Sequence, residues 1–141
     1  MTLQQIADDW FDKTVPYPDP DPYGLQGQCV QFIRWMLNTY YRLPQWGPQR
    51  GAADFFDSYD NDTMMNSFWT KLVNVPDLIP KAGDIFIQDK TKGGGYGHIG
   101  IVIGNGATVN FFDAVEQNYK PFKVSVVRHN YNALRGFLRV K

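Results

Sequence analysis

The sequence predicts an α+β domain in which N-terminal helices pack on a C-terminal antiparallel β-sheet. Three observations carry this prediction. Apolar residues recur at helical spacing in the first half of the chain and at a period of two in the second. The helical stretches come first, and short strands joined by Gly- and Asn-bearing turns follow. The 141 residues, 43% of them hydrophobic, suit one packed domain over 1–141.

Thr2 followed by Gln5 reads as a capping box, and Leu3, Ile6, Ala7, Trp10 and Phe11 behind it fall on one helical face. Residues 15–24 hold four of the nine prolines. Alternate prolines forbid both helix and central strand, so this stretch reads as a stiff, extended surface loop. A second helix is predicted over 28–41, with Cys29, Phe32, Ile33, Met36, Leu37 and Tyr40 on one face and Pro44 and Pro48 beyond its end. A short third helix over 51–59 would bury Ala52, Phe55, Phe56 and Tyr59, and 60–62 reads as a loop. From Phe68 the period changes to two. Strands are predicted from residue 68 and over 84–87, 98–103, 108–116, 124–127 and 137–140, with turns at 80–83 and 104–106 and a glycine-rich segment over 92–97.

Composition removes several function classes. The 14 Lys and Arg balance 14 Asp and Glu. A chain without net charge lacks the basic surface that nucleic acid binding needs, and the electrostatic route to an anionic membrane. One cysteine allows no intrachain disulfide and, with two histidines, no thiolate cage for zinc. The N-terminus has no basic start followed by an apolar run, so no secretory signal is expected there. The longest aliphatic run, 99–103, is far too short to insert into a membrane.

Four positions could carry chemistry. Cys29 stands at the predicted start of a helix, where the positive end of the dipole favours a thiolate nucleophile. It also lies on the apolar face, as a small buried hydrophobe would. His98 opens an aliphatic strand behind Gly93, Gly94, Gly95 and Gly97, where bare backbone gives access to the ring. Glu116 and Asn118 are two residues apart and share a face in a strand. A hairpin centred on Ala107 sets Glu116 opposite His98; one centred on Asn105 sets Phe112 there, and the sequence leaves the register open. In the first register a carboxylate or amide can hold the imidazole in its working tautomer. His129 falls in a polar stretch before Asn130 and reads as surface. A nucleophile at a helix start with a His and its orienting partner on neighbouring strands is the Cys-His-Asn arrangement of papain-like proteases.

Several ordered segments resemble the CHAP family, the cysteine, histidine-dependent amidohydrolases/peptidases. Tyr23-Gly24-Leu25-Gln26-Gly27-Gln28-Cys29-Val30-Gln31-Phe32 resembles its nucleophile motif. Pro80-Lys81-Ala82-Gly83-Asp84-Ile85 resembles its P-x-x-G-D segment, and Gly97-His98-Ile99-Gly100-Ile101-Val102 its glycine-histidine strand. Glu116-Gln117-Asn118-Tyr119 resembles its acid-Gln-Asn-aromatic motif, and Gly136-Phe137-Leu138-Arg139 the strand that closes the domain. The resemblance implies a papain-like fold that cleaves bacterial peptidoglycan, as a muramoyl-L-alanine amidase or as an endopeptidase of the stem or cross-bridge.

Carried over by the resemblance, Cys29 is the nucleophile and His98 the general base and later the acid. Glu116 orients the imidazole, and Asn118 completes the site. The Cys29 N–H is one oxyanion donor, with Gln28 the nearest candidate for the second. Some members bind calcium in the loop before the cysteine, and Asp19, Asp21 and the Tyr23 carbonyl alternate as oxygen ligands should. Gln31 stands where those members have an Asp, and Pro20 and Pro22 would stiffen the loop without a metal. No other cofactor is implied. The partner implied is peptidoglycan, with a separate or deleted cell-wall-binding domain, and delivery by phage lysis machinery, virion or non-classical export. Three other readings stand beside this one: an NlpC-type wall hydrolase, for which His129 is the spare histidine, a catalytically silent wall-binding module, and a small-molecule amidase.

Overall fold

This computed structural model describes residues 1–16, 28–120 and 122–141. Helix α1 (Leu3–Trp10) opens with the capping box. Thr2 Oγ1 accepts from the Gln5 N–H at 3.1 Å, and Gln5 Oε1 accepts from the Thr2 N–H at 2.7 Å. Helix α2 (Cys29–Met36) is buried along its whole length, so it is the central helix of the core. The helix predicted over 28–41 changes character at its end, because Leu37–Tyr41 forms a wider π-helical turn closed by Arg42 at φ 54°. Tyr41 packs edge-on against Trp69 at 4.9 Å and donates its hydroxyl hydrogen to the Gly83 carbonyl at 2.6 Å. Burial holds the Tyr41 phenol well above its ordinary pKa.

Helix α3 (Asp54–Ser58) is shorter than the predicted 51–59 and runs into a 3-10 turn, Tyr59–Asn61. Helix α4 (Thr63–Phe68) was not foreseen. The Asp-Asn-Asp run at 60–62 reads as a turn, yet Asp62 is an N-cap whose Oδ1 accepts from the Met64 and Met65 N–H groups at 3.0 and 3.1 Å.

Six strands form one antiparallel sheet: β1 (Trp69–Val73), β2 (Ile85–Gln88), β3 (His98–Val102), β4 (Phe112–Lys120), β5 (Lys123–His129) and β6 (Leu134–Val140). Their order is β1-β6-β2-β3-β4-β5. One face, with Ile85, Ile87, Ile99, Ile101 and Val115, packs on Ile6, Phe32, Ile33 and Met36 of the helices. The other face carries a second core of Phe86, Val102, Phe112, Ala114 and Phe137. Strands β2 and β3 are buried on both sides, which explains their unbroken apolar runs.

The β3–β4 register is neither of the two considered from sequence. Ile101 pairs with Val115 and Val102 with Ala114, so the hairpin turns about Thr108. Residues 108–111 are spent on that turn, with the Thr108 hydroxyl accepting from the Asn110 and Phe111 N–H groups at 3.1 and 3.3 Å. Strand β4 therefore starts at Phe112, not at 108. The displacement from the Ala107-centred register is two residues, so every side chain keeps its face. Glu116 still shares the face of His98, one step along the strand.

Candidate active site

Cys29 is the first residue of α2, 8% exposed, with Gln28 as an extended N-cap. It shares a cleft with His98, the first residue of β3, and hydrogen bonding and charge from the Cys29 sulfur raise the pKa of that imidazole. The His98 Nε2 lies 2.7 Å from Glu116 Oε1, which leaves Nδ1 as the second ring nitrogen for a nucleophile. Gly97 makes this approach sterically feasible. It sits at φ 84°, and a Cβ there would lie 2.6 Å from both the Ala53 Cβ and the Gln88 carbonyl oxygen. Only glycine fits between β2 and the segment before α3.

Glu116 is fully buried, and its second oxygen, Oε2, lies 2.7 Å from His129 Nε2. His129 is therefore not the surface residue read from sequence. It closes β5 opposite Phe112, is 9% exposed, and packs on Phe86 at a ring separation of 4.9 Å. The polar neighbours Arg128 and Asn130 masked it. The signal was the period-two alternation of β5, which, continued past Val127, turns residue 129 inward.

The charges of this row are mutually supporting. Burial opposes a charged His98, but hydrogen bonds and charge from Cys29 and Glu116 outweigh it and push the imidazole up to about 10. Burial likewise opposes the Glu116 carboxylate, and the bonds from His129 and His98 overcome it, holding the group below its ordinary range. The arrangement can keep a protonated imidazole beside a sulfur nucleophile at neutral pH.

Asn118 sits differently from the expectation that it faces the same way as Glu116. The β4–β5 ladder slips between Gln117 and Lys120, and Asn118 takes φ 76°. Its Oδ1 accepts from the Phe122 N–H at 3.1 Å, so the side chain fastens the β4–β5 turn. It still lines the cleft beside Cys29, a space of about 290 Å³ bounded also by Gln28, Gly51, Tyr96 and His98. Gln28 stands in that cleft and makes no side-chain cap bond to α2. Asp19, Asp21 and Tyr23 lie outside the described residues.

Gln117 is a site residue to which sequence reasoning gave no role. Fully buried, it reaches the opposite sheet face from Glu116. Its Oε1 accepts from the Val15 N–H at 2.9 Å, and its Nε2 donates to the Gln28 carbonyl at 3.1 Å and to Gln31 Oε1 at 3.2 Å. One side chain thus ties the residue before the nucleophile to the strand that carries Glu116. The motif order showed Gln117 beside Glu116, but only the fold shows what it holds.

The CHAP domain family matches residues 18–118, most of the chain and all of the row from Cys29 to Glu116. The chain belongs to the CHAP domain family. Among solved structures, this CHAP domain is similar to the wild-type endolysin LysIME-EF1, with a TM-score of 0.67 and 20% identity over 96% of this chain and 61% of that one. It is also similar to Ly7917 solved with the hydrolyzing product of MDP, with a TM-score of 0.62 and 16% identity over 81% of this chain and 54% of that one. The CHAP domain thus spans little more than half the length of these proteins. They share its α+β fold. No curated protein matches the chain.

Proposed function

We propose that this CHAP domain is a peptidoglycan hydrolase that cuts an amide bond through a Cys29 thioester. The observation that carries this reading is the unbroken row Cys29–His98–Glu116 at the head of a buried helix. In the proposed reaction the Cys29 thiolate attacks the amide carbonyl. The oxyanion is met by the Cys29 N–H, with the Gln28 side chain as second donor. His98 gives its proton to the leaving nitrogen, and the C–N bond breaks to leave the thioester. His98 then takes a proton from water, whose oxygen attacks the thioester; the acid leaves, and the Cys29 thiolate and protonated His98 are restored. Glu116 keeps the imidazole oriented throughout, and Asn118 walls the cleft. Likeness in fold to an endolysin, and to a protein solved with the hydrolyzing product of MDP, supports a wall substrate. The proposed place of action is the bacterial wall, reached by phage lysis machinery, with a wall-binding domain as partner.

Digestion of purified peptidoglycan by the wild type and by Cys29→Ala, with the new termini identified by mass spectrometry, tests this. Cys29-dependent free L-alanine amino ends mean a muramoyl amidase, and free ends within the stem or cross-bridge mean an endopeptidase. Walls of several chemotypes that are bound but uncut would overturn the reading in favour of a silent binding module. The proposed chemistry uses no metal, so EDTA-treated protein is expected to retain turnover. A loss restored by calcium would overturn that expectation and point to Asp19, Asp21 and Tyr23.

A further inference from the structure

Tyr96 borders the Cys29 cleft with its backbone clamped and its side chain open. Its carbonyl accepts from the Ala53 N–H at 3.0 Å, and its own N–H donates to the Gly93 carbonyl at 3.3 Å. Gly51 lies so close that a Cβ there would fall 2.6 Å from the Tyr96 carbonyl oxygen and 2.8 Å from the Tyr96 Cβ. The root of the side chain is thus fixed against Gly51, which borders the same cleft. Yet Tyr96 is 59% exposed, and its phenol makes no hydrogen bond, ring contact or cation contact among the described residues. A phenol held at its base and left open offers a ligand a large, rigid, amphipathic face at little entropic cost.

Two carboxamides border that cleft as well, Gln28 and Asn118. The Asn118 oxygen is committed to the Phe122 N–H, which leaves its amide N–H groups for an acceptor on a ligand. An open aromatic face with amide donors nearby is the complement of a sugar. The C–H face of a pyranose lies on the ring, and its hydroxyl and acetamido oxygens take the donors. In the proposed reaction the acyl half of the bond stays on Cys29 as the thioester, so it occupies the Cys29 cleft. A further cleft of about 400 Å³, bounded by Gln88, His129 and Asn132, meets this one at His98 and is left for the amine half. In a muramoyl amide the sugar ring joins the scissile carbonyl through one short lactyl ether, so the ring lies in the same cleft. In a stem or cross-bridge bond the sugar is whole residues away. We infer that Tyr96 stacks on the pyranose ring of a muramoyl group, and that the amide cut is the one joining that group to the peptide. This inference rests on the hydrolase reading and decides between its two cleavages.

The test uses the full chain and reads how far a ligand shields Cys29 from iodoacetamide, as the ratio of alkylation rates without and with ligand for each variant. The probe is the peptide-free disaccharide N-acetylglucosaminyl-N-acetylmuramic acid, whose lactyl carboxylate is the acid that the proposed cut releases. The disaccharide is expected to shield the wild type. Tyr96→Ala is expected to need about tenfold more of it for half protection, the scale of one stacked ring. Tyr96→Phe keeps the aromatic face and is expected to restore most of the shielding. Wild-type shielding in Tyr96→Ala overturns the inference. So does a wild type shielded by the free stem peptide and not by the disaccharide, which would give the Tyr96 face to a peptide side chain. Digestion of purified sacculi in parallel keeps the two readings apart. A wild type that cuts walls without freeing L-alanine amino ends overturns this inference alone. One that cuts no wall overturns the hydrolase reading, and this inference with it.

Discussion

Glu116 places one negative charge between two imidazoles, and each carboxylate oxygen has its own ring nitrogen. His98 therefore has a partner fixed from behind. Its raised pKa means that the ion pair stabilises the fold fully below the unfolded imidazole value of about 6.5. That stability fades as pH rises through about 10. In Glu116→Gln the charge is gone, so the His98 pKa should fall. The alkaline limb of the pH profile for Cys29 alkylation is expected to move at least one unit toward acid. An unchanged limb would show that Glu116 does not set the imidazole. His129 is a positioning residue in this scheme. His129→Leu is expected to lower kcat about tenfold or more and to move the same limb toward acid, while His129→Gln, whose amide can still donate, restores most of both. Equal losses in the two variants, with matching drops in melting temperature, would reduce His129 to a packing role.

Two short pieces of backbone decide whether these side chains meet. Gln117 bonds Val15, Gln28 and Gln31 at once. Gln117→Ala removes the partner of the Val15 N–H and one bond each from the Gln28 carbonyl and Gln31, and is expected to cost about 2 kcal/mol in chemical denaturation. It should also slow Cys29 alkylation, because the Gln28 N-cap loses its hold; an unchanged rate would separate the fastening from the site. Gly97→Ala needs a positive φ and space that is already filled, so it is expected to give little folded protein on expression. Much of this scale was legible beforehand. The capping box at Thr2, the position of Cys29 at a helix start and the strand that begins at His98 all follow from local spacing. The β3–β4 register did not, because a four-residue turn over 108–111 and a longer loop look alike in a run of Gly, Asn and Thr. Helix α4 was hidden because Asp62 serves turns and helix caps equally well.

Across the whole molecule, the sheet holds the row together by burying β2 and β3 between two cores. Asp84, from the P-x-x-G-D segment, is 2% exposed and takes a two-pronged bond from Arg139 on β6, at 2.9 and 2.7 Å. Its Oδ2 also accepts from the Lys81 N–H at 2.8 Å, so the motif serves the fold. Arg139→Met strands a buried carboxylate and is expected to cost about 3 kcal/mol, roughly 10 °C in Tm at this chain length. A calorimetric melt within 2 °C of the wild type, about half a kcal/mol, would show the pair to be idle. The α+β class was legible because the switch from helical to alternating period is global. The pairing of Glu116 with His129 was not, since it joins two strands whose inward faces only the closed second core defines. Cys29 is the sole cysteine, and it is free. Should peroxide convert it to a sulfenic acid, this chain offers no second thiol to capture that state as a disulfide. Repair would have to come from a thiol outside this chain, so its working life in an oxidising medium is set by the thiols around it.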